Sequence, residues 1–175
     1  MPTTIMSVVI APPALTAAPE SSALAGRVHA HLAVFVDAPG LARRPAEVAL
    51  ELLGRPGAVA SAETGCGGLL SSDRGLLASV LMLLFFNEIR TGLPARTELL
   101  DRALELEAGQ PTWLAGTIPA IWWKGIDEQE RARTRLLSML EAAAAAGDEP
   151  FQHELIQHLV ETETLAGNYA TAKTW

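Results

Sequence analysis

The chain predicts a mainly α-helical fold, a single-domain antiparallel bundle of about six to seven helices behind an extended N-terminal arm. Three observations carry that prediction. The stretch Ser71 to Gly92 is apolar on every side from Leu76 to Phe86, and it closes on Asn87, Glu88, Ile89, Arg90 and Gly92. Apolar residues recur at helical spacing along most of the remaining chain. Glycine and proline punctuate these segments at short intervals, as between antiparallel neighbours. A segment apolar all round must be enclosed by protein or by lipid. Leu76 to Phe86 falls well short of the roughly 20 residues that cross a bilayer, so it reads as the central helix of the bundle.

Residues 1–20 carry Pro2, Pro12, Pro13 and Pro19 and read as the extended arm, with Ile5, Met6, Val8, Val9 and Ile10 as its apolar part. Residues 21–175 form the helical domain. Ser21 and Ser22 offer a helix start, followed by Leu24, Val28, Leu32 and Phe35 at helical spacing. The same stretch alternates through Val28, Ala30, Leu32, Val34 and Val36, which also suits a strand. The helix is the preferred reading for 24–37, ending near Pro39 and Gly40. Pro45 then opens a short helix through Leu53, and the glycine-, alanine- and serine-rich stretch to about Ser71 reads as loop.

In the central helix, Ser72 or Asp73 can accept the free amides of the first turn, Arg90 suits the negative helix end, and Gly92 can take the left-handed turn. Pro94 to Ala108 is amphipathic through Leu99, Leu100, Ala103, Leu104 and Leu106. Thr112 to Lys124 reads as a helix broken or bent at Pro119. Asp127 with Glu130 resembles a capping box, opening a long helix through Ala146 with Gly147 at its end. Asp148 and Pro150 open a last helix that reaches at least Leu165. The ending Gly167 to Ala172 resembles the turn between the two helices of a tetratricopeptide unit over about ten residues. No second copy stands at that family's offset of roughly 34 residues.

The 175 residues carry 13 basic and 20 acidic side chains, a net charge of −7. Arg43 with Arg44, and Arg131 with Arg133 and Arg135, make two small basic spots and no stripe. An acidic chain of this kind lacks the phosphate-driven affinity of a nucleic-acid binder. Cys66 is the only cysteine, which excludes an intramolecular disulfide and a multi-cysteine zinc site. The N-terminus lacks the basic start of a secretory signal, so a cytoplasmic location is expected. The arginine- and alanine-rich, lysine-poor composition suggests a bacterial source.

Chemistry has few places to sit. On the last helix Phe151, Leu155 and Leu159 form the buried stripe, widened by Ile156 and Val160. Glu154, His158 and Glu161 share one edge of it, where two carboxylates and an imidazole could supply part of a metal site or an acid–base pair. Glu88, from the end of the central helix, could complete the set. Di-iron helical bundles are similar in part, but they repeat Glu-x-x-His on two helices. Here the glutamate precedes the histidine by four and the motif occurs once. His29 and His31 would face one side only on a strand. Cys66 sits in a glycine-rich turn, where converging amides could hold a thiolate or an anion. Adjacent Trp122 and Trp123 diverge by about 100° on a helix, so one core cannot easily bury both.

The expectation is therefore a noncatalytic subunit or adaptor that binds another protein or a second copy of itself, with Trp122 and Trp123 at the interface. No cofactor is favoured. No nucleic acid and no membrane span are expected. The alternative is a small helical enzyme whose site is built from Glu88, Glu154, His158 and Glu161, with Glu154, His158 and Glu161 as metal ligands. A pocket for an apolar ligand beside Phe85 and Phe86 is a weaker third reading.

Overall fold

The computed structural model describes residues 22–35, 39–54, 73–107 and 115–175. The N-terminal arm, the loop around Cys66, and the start of the segment assigned to Thr112 to Lys124 lie outside them. Among the described residues there are eight helices and no strand: α1 (Ser22–Phe35), α2 (Pro39–Leu53), α3 (Asp73–Arg90), α4 (Thr97–Glu107), α5 (Ile118–Gly125), α6 (Gln129–Ala146), α7 (Glu149–Leu165) and α8 (Tyr169–Ala172). The mainly helical bundle is present, and the helix reading of residues 24–37 holds for α1. Among the described residues no helix is long and apolar enough to cross a membrane.

Helix α3 is the centre of the first core. It packs against α1, α2, α4 and α5, and Leu76 through Met82, with Leu84 and Phe85, are buried. Four neighbours account for a helix that is apolar all round. Its buried Ser79 returns its hydroxyl to the Gly75 carbonyl at 3.0 Å, so the polar atom is satisfied inside its own helix. Small buried residues, Gly26, Ala30 and Ala33 on α1 and Ala46 and Ala49 on α2, let those two backbones approach closely. At Gly26 a Cβ would stand only 2.9 Å from the fully buried Leu53.

A second core joins α5, α6 and α7 through Ala120, Trp123, Leu136, Met139, Leu155 and Leu159. Leu104 and Trp122 pack against both cores and bridge them.

Four helix ends close in the same way. Leu93 N–H donates to the Glu88 carbonyl, Glu128 to Trp123, Asp148 to Ala143 and Asn168 to Glu163, at 2.8–3.0 Å. The residue before each donor has positive φ: Gly92, Asp127, Gly147 and Gly167. This satisfies carbonyls that the helix leaves free. The last three left-handed residues fall at equal twenty-residue intervals. At the end of α4 a side chain does the same work: Arg74 donates to the Leu106 and Glu105 carbonyls at 2.7 and 3.2 Å.

Three sequence expectations are corrected. Pro45 lies inside α2, which already begins at Pro39. The carbonyl it leaves without a donor belongs to Leu41, whose side chain is 70% exposed, so the missing bond falls on the solvent side. Pro119 sits in the first turn of α5, where its missing N–H costs nothing, and it opens the helix instead of bending it. The capping box at Asp127 and Glu130 does not form. Glu128 is the N-cap of α6 and makes no side-chain cap bond, because Asp127 is occupied in the left-handed turn that ends α5. Asp148, by contrast, caps α7 by accepting the Phe151 N–H at 3.1 Å.

Candidate functional site

The edge of α7 meets the end of α5. Leu155 and Leu159 are buried against α5 and α6 while Ile156 and Val160 are half-buried, which fixes the rotation of α7 and brings His158 and Glu161 alongside Lys124. Lys124 is a buried lysine, its side chain 7% exposed. Its Nζ donates to Glu161 Oε2 at 2.6 Å and lies 3.2 Å from His158 Nδ1. His158 Nδ1 is itself 3.4 Å from Glu161 Oε2. The hydrogen bond from Lys124 holds the Glu161 carboxyl below its ordinary range, against the opposing effect of partial burial, and His158 adds to the lowering.

This arrangement is an ammonium–carboxylate pair with one imidazole nitrogen in contact. The charge of the pair is balanced within the chain. Glu154 is exposed and is not part of it. Glu88 sits elsewhere, buried at the end of α3, where Arg96 Nε reaches both of its carboxylate oxygens at 2.8 and 3.0 Å and Arg96 Nη2 adds a third bond. Of the four residues proposed to converge, His158 and Glu161 come together and Glu88 and Glu154 do not join them. Among the described residues no three or more His, Cys, Asp or Glu side chains are grouped so as to hold a metal ion.

The tryptophans take part in internal packing. Trp123 is buried beneath the guanidinium of Arg131, which stands 4.1 Å from the ring centroid. Trp122 is half-buried and meets Phe85 edge-on, centroids 5.3 Å apart and planes at 88°. Their divergence is accommodated because α5 lies at the junction of the two cores. Phe86 lies under Arg90 at 5.6 Å. On α1, His31 Nδ1 donates to the Arg27 carbonyl at 2.7 Å, and the buried Nδ1 of His29 has no hydrogen-bond partner.

The three arginines of α6 are not a basic spot. Residues two apart on a helix diverge by about 200°, and residues four apart nearly coincide. Arg131 and Arg135 therefore face α5 and α4, and Arg133 faces α7. Arg135 donates to both oxygens of Glu107 at 2.8 and 2.9 Å and to the Gly116 carbonyl at 2.7 Å. Arg133 donates to both oxygens of Glu163 at 2.6 Å, and Asn168 adds a bond at 2.9 Å. The Arg133 bonds hold the buried Glu163 carboxyl below its usual range, opposed by its burial and aided by Asn168. The sequence carried a signal for Arg133 and Arg135 in their alternate spacing, and none for their partners.

No protein-family model matches the chain, and no curated protein or solved structure matches it either.

Proposed function

We propose that this chain is a noncatalytic helical subunit or adaptor, cytoplasmic and bacterial, that works by contact with a protein partner or with a second copy of itself. The observation that carries the reading is the exposure of large apolar side chains at the end of α7 and in α8. Leu165 is 61% exposed and Tyr169 64%, and Trp175 is exposed nearby in sequence. Exposed aromatic side chains are common anchors at protein interfaces. The ionisable groups support it from the other side: Glu88, Glu107, Glu163 and Lys124 are buried, and each is matched by an oppositely charged side chain, so they fasten parts of the fold to one another.

Light scattering of the purified chain beside Leu165→Ser/Tyr169→Ser tests this. The reading expects an oligomer, or a co-purifying protein, that the double variant loses while keeping its helical circular dichroism. A monomer without a partner, unchanged by the substitutions, would overturn it.

The contact of Lys124 with His158 and Glu161 favours one second reading, an acid–base site on α7. An NMR pH titration of the His158 ring beside a Glu161→Ala variant addresses it. A His158 midpoint that moves when Glu161 is removed would sustain that reading, and an unchanged midpoint would count against it.

A further inference from the structure

We propose that the N-terminal arm is a strap whose run from Ile5 to Ile10, apolar but for Ser7, docks in extended form on the outward face of α1. Helix α1 turns its small side chains to the bundle and its large ones out. Gly26, Ala30 and Ala33 are buried in a helix that packs on α2 and α3. Leu24 and Val28 are 54% and 41% exposed, and Leu32, one turn further on, is half-buried. Spaced by four residues, these three side chains fall within about 80° of one another around the helix. Gly26 and Ala30 stand about 160° from Val28. The stripe is therefore one helix face wide, about 12 Å long and apolar along its length.

Three features select the arm as its occupant. The first is charge. Residues 1–19 hold no ionisable side chain, in a protein of which 19% is charged. Docking therefore sets no side-chain charge against Arg27 and His31, which flank the stripe on a helix without acidic residues. The second is spacing. In an extended segment alternate side chains share a side, so Met6, Val8 and Ile10 recur about every 6.6 Å. Leu24, Val28 and Leu32 recur about every 6 Å along α1, so three side chains meet three in step. The extended backbone lies at the surface, where water satisfies its amides.

The third is reach. The arm joins α1 at Ser22, two residues before Leu24, and residues 11–21 connect it to the apolar run. That connection spans up to about 36 Å, three times the length of the stripe, so the run can lie along it in either direction. A short tether also holds the two surfaces at an effective concentration in the millimolar range. A contact too weak to form between separate chains is thus populated within one, and any other occupant has to displace it.

The test is disulfide trapping in the full chain. Val8→Cys/Val28→Cys is combined with Cys66→Ser, which leaves two thiols, and the protein is oxidised at micromolar concentration. The same chain carrying Met6→Ser/Ile10→Ser keeps the tether and loses the apolar contact. An intrachain disulfide that forms at least tenfold faster in the first chain than in the second is expected. Equal rates, which the tether alone would give, would overturn the proposal. So would an interchain disulfide as the main product, which would put a second copy's arm on the stripe. A second measurement needs no cysteine. In the otherwise wild-type ¹⁵N-labelled chain, Met6→Ser/Ile10→Ser should shift the amide resonances of Leu24, Val28 and Leu32 and leave those of α6 in place. Unmoved resonances on α1 would overturn the proposal as well.

Discussion

Arg135 of α6 and Glu107 of α4 face each other through two parallel hydrogen bonds, with their side chains only 8% and 3% exposed. Removing one member of such a pair leaves a charge in a poorly hydrated place, which costs about 3–5 kcal/mol, whereas replacing both with apolar groups is often neutral. Arg135→Met should therefore lower stability by roughly that amount, and Arg135→Met/Glu107→Leu should recover most of the loss. Urea denaturation of the wild type, both single variants and the double variant closes the cycle. Additive losses in the double variant would show that the pair is not coupled.

Acid should loosen α7. Glu161 and Glu163 both have folded-state pKa values held below their ordinary ones, by Lys124 and Arg133 respectively. With the folded value depressed, the unfolded chain takes up protons first as the pH drops. The stabilisation is complete above about pH 5 and is lost as the pH falls through the ordinary carboxylate range toward the folded values. Urea midpoints measured across that range should fall with pH, and Glu163→Gln should flatten the dependence while lowering stability at neutral pH.

The left-handed residues offer a paired test. Asp127 occupies a backbone conformation (φ 64°) that Gly147 adopts at the next helix end (φ 69°). A side chain there costs about 1–2 kcal/mol relative to glycine. Asp127→Gly should stabilise the fold by about 1 kcal/mol, less the loss of a long 3.3 Å bond from Gln129. Gly147→Ala should destabilise it by a similar amount. Thermal melts of the two variants should move in opposite directions.

Gly26 and Gly40 should also diverge. Alanine at 26 meets Leu53 inside the α1–α2 contact, and alanine at 40 meets nothing within 4 Å. The overpacking penalty of about 1–3 kcal/mol outweighs the roughly 1 kcal/mol that alanine gains over glycine in a helix. Gly26→Ala should therefore lower the melting temperature, and Gly40→Ala should leave it unchanged or raise it.

Local chemistry was legible in the sequence and distant chemistry was not. Gly92, Gly147 and Asp148 announced helix ends because a left-handed turn or an N-cap depends on neighbouring residues. The uniform apolarity of α3 announced its enclosure. Pro45 misled because whether a helix tolerates proline depends on which side its orphan carbonyl faces, and only the packed helix fixes that. The candidate site was half legible: His158 and Glu161 share an edge of α7, but Lys124 joins them from 34 residues away. The Arg135–Glu107 pair spans 28 residues, and a formal charge count registers its members as surface groups.

The fan of arginines on α6 makes that helix intolerant of changes in length. One residue inserted between Arg131 and Arg135 would turn the following side chains by about 100° and shift them by about 1.5 Å. Trp123 would keep its guanidinium, while Glu107 would lose its partner and, depending on the point of insertion, so would Glu163. Substitutions elsewhere on α6 can accumulate one at a time, but an insertion or deletion in this short interval disrupts several fastenings in a single step. Relatives of this chain should therefore keep the register of α6 fixed even where its outward-facing residues have drifted.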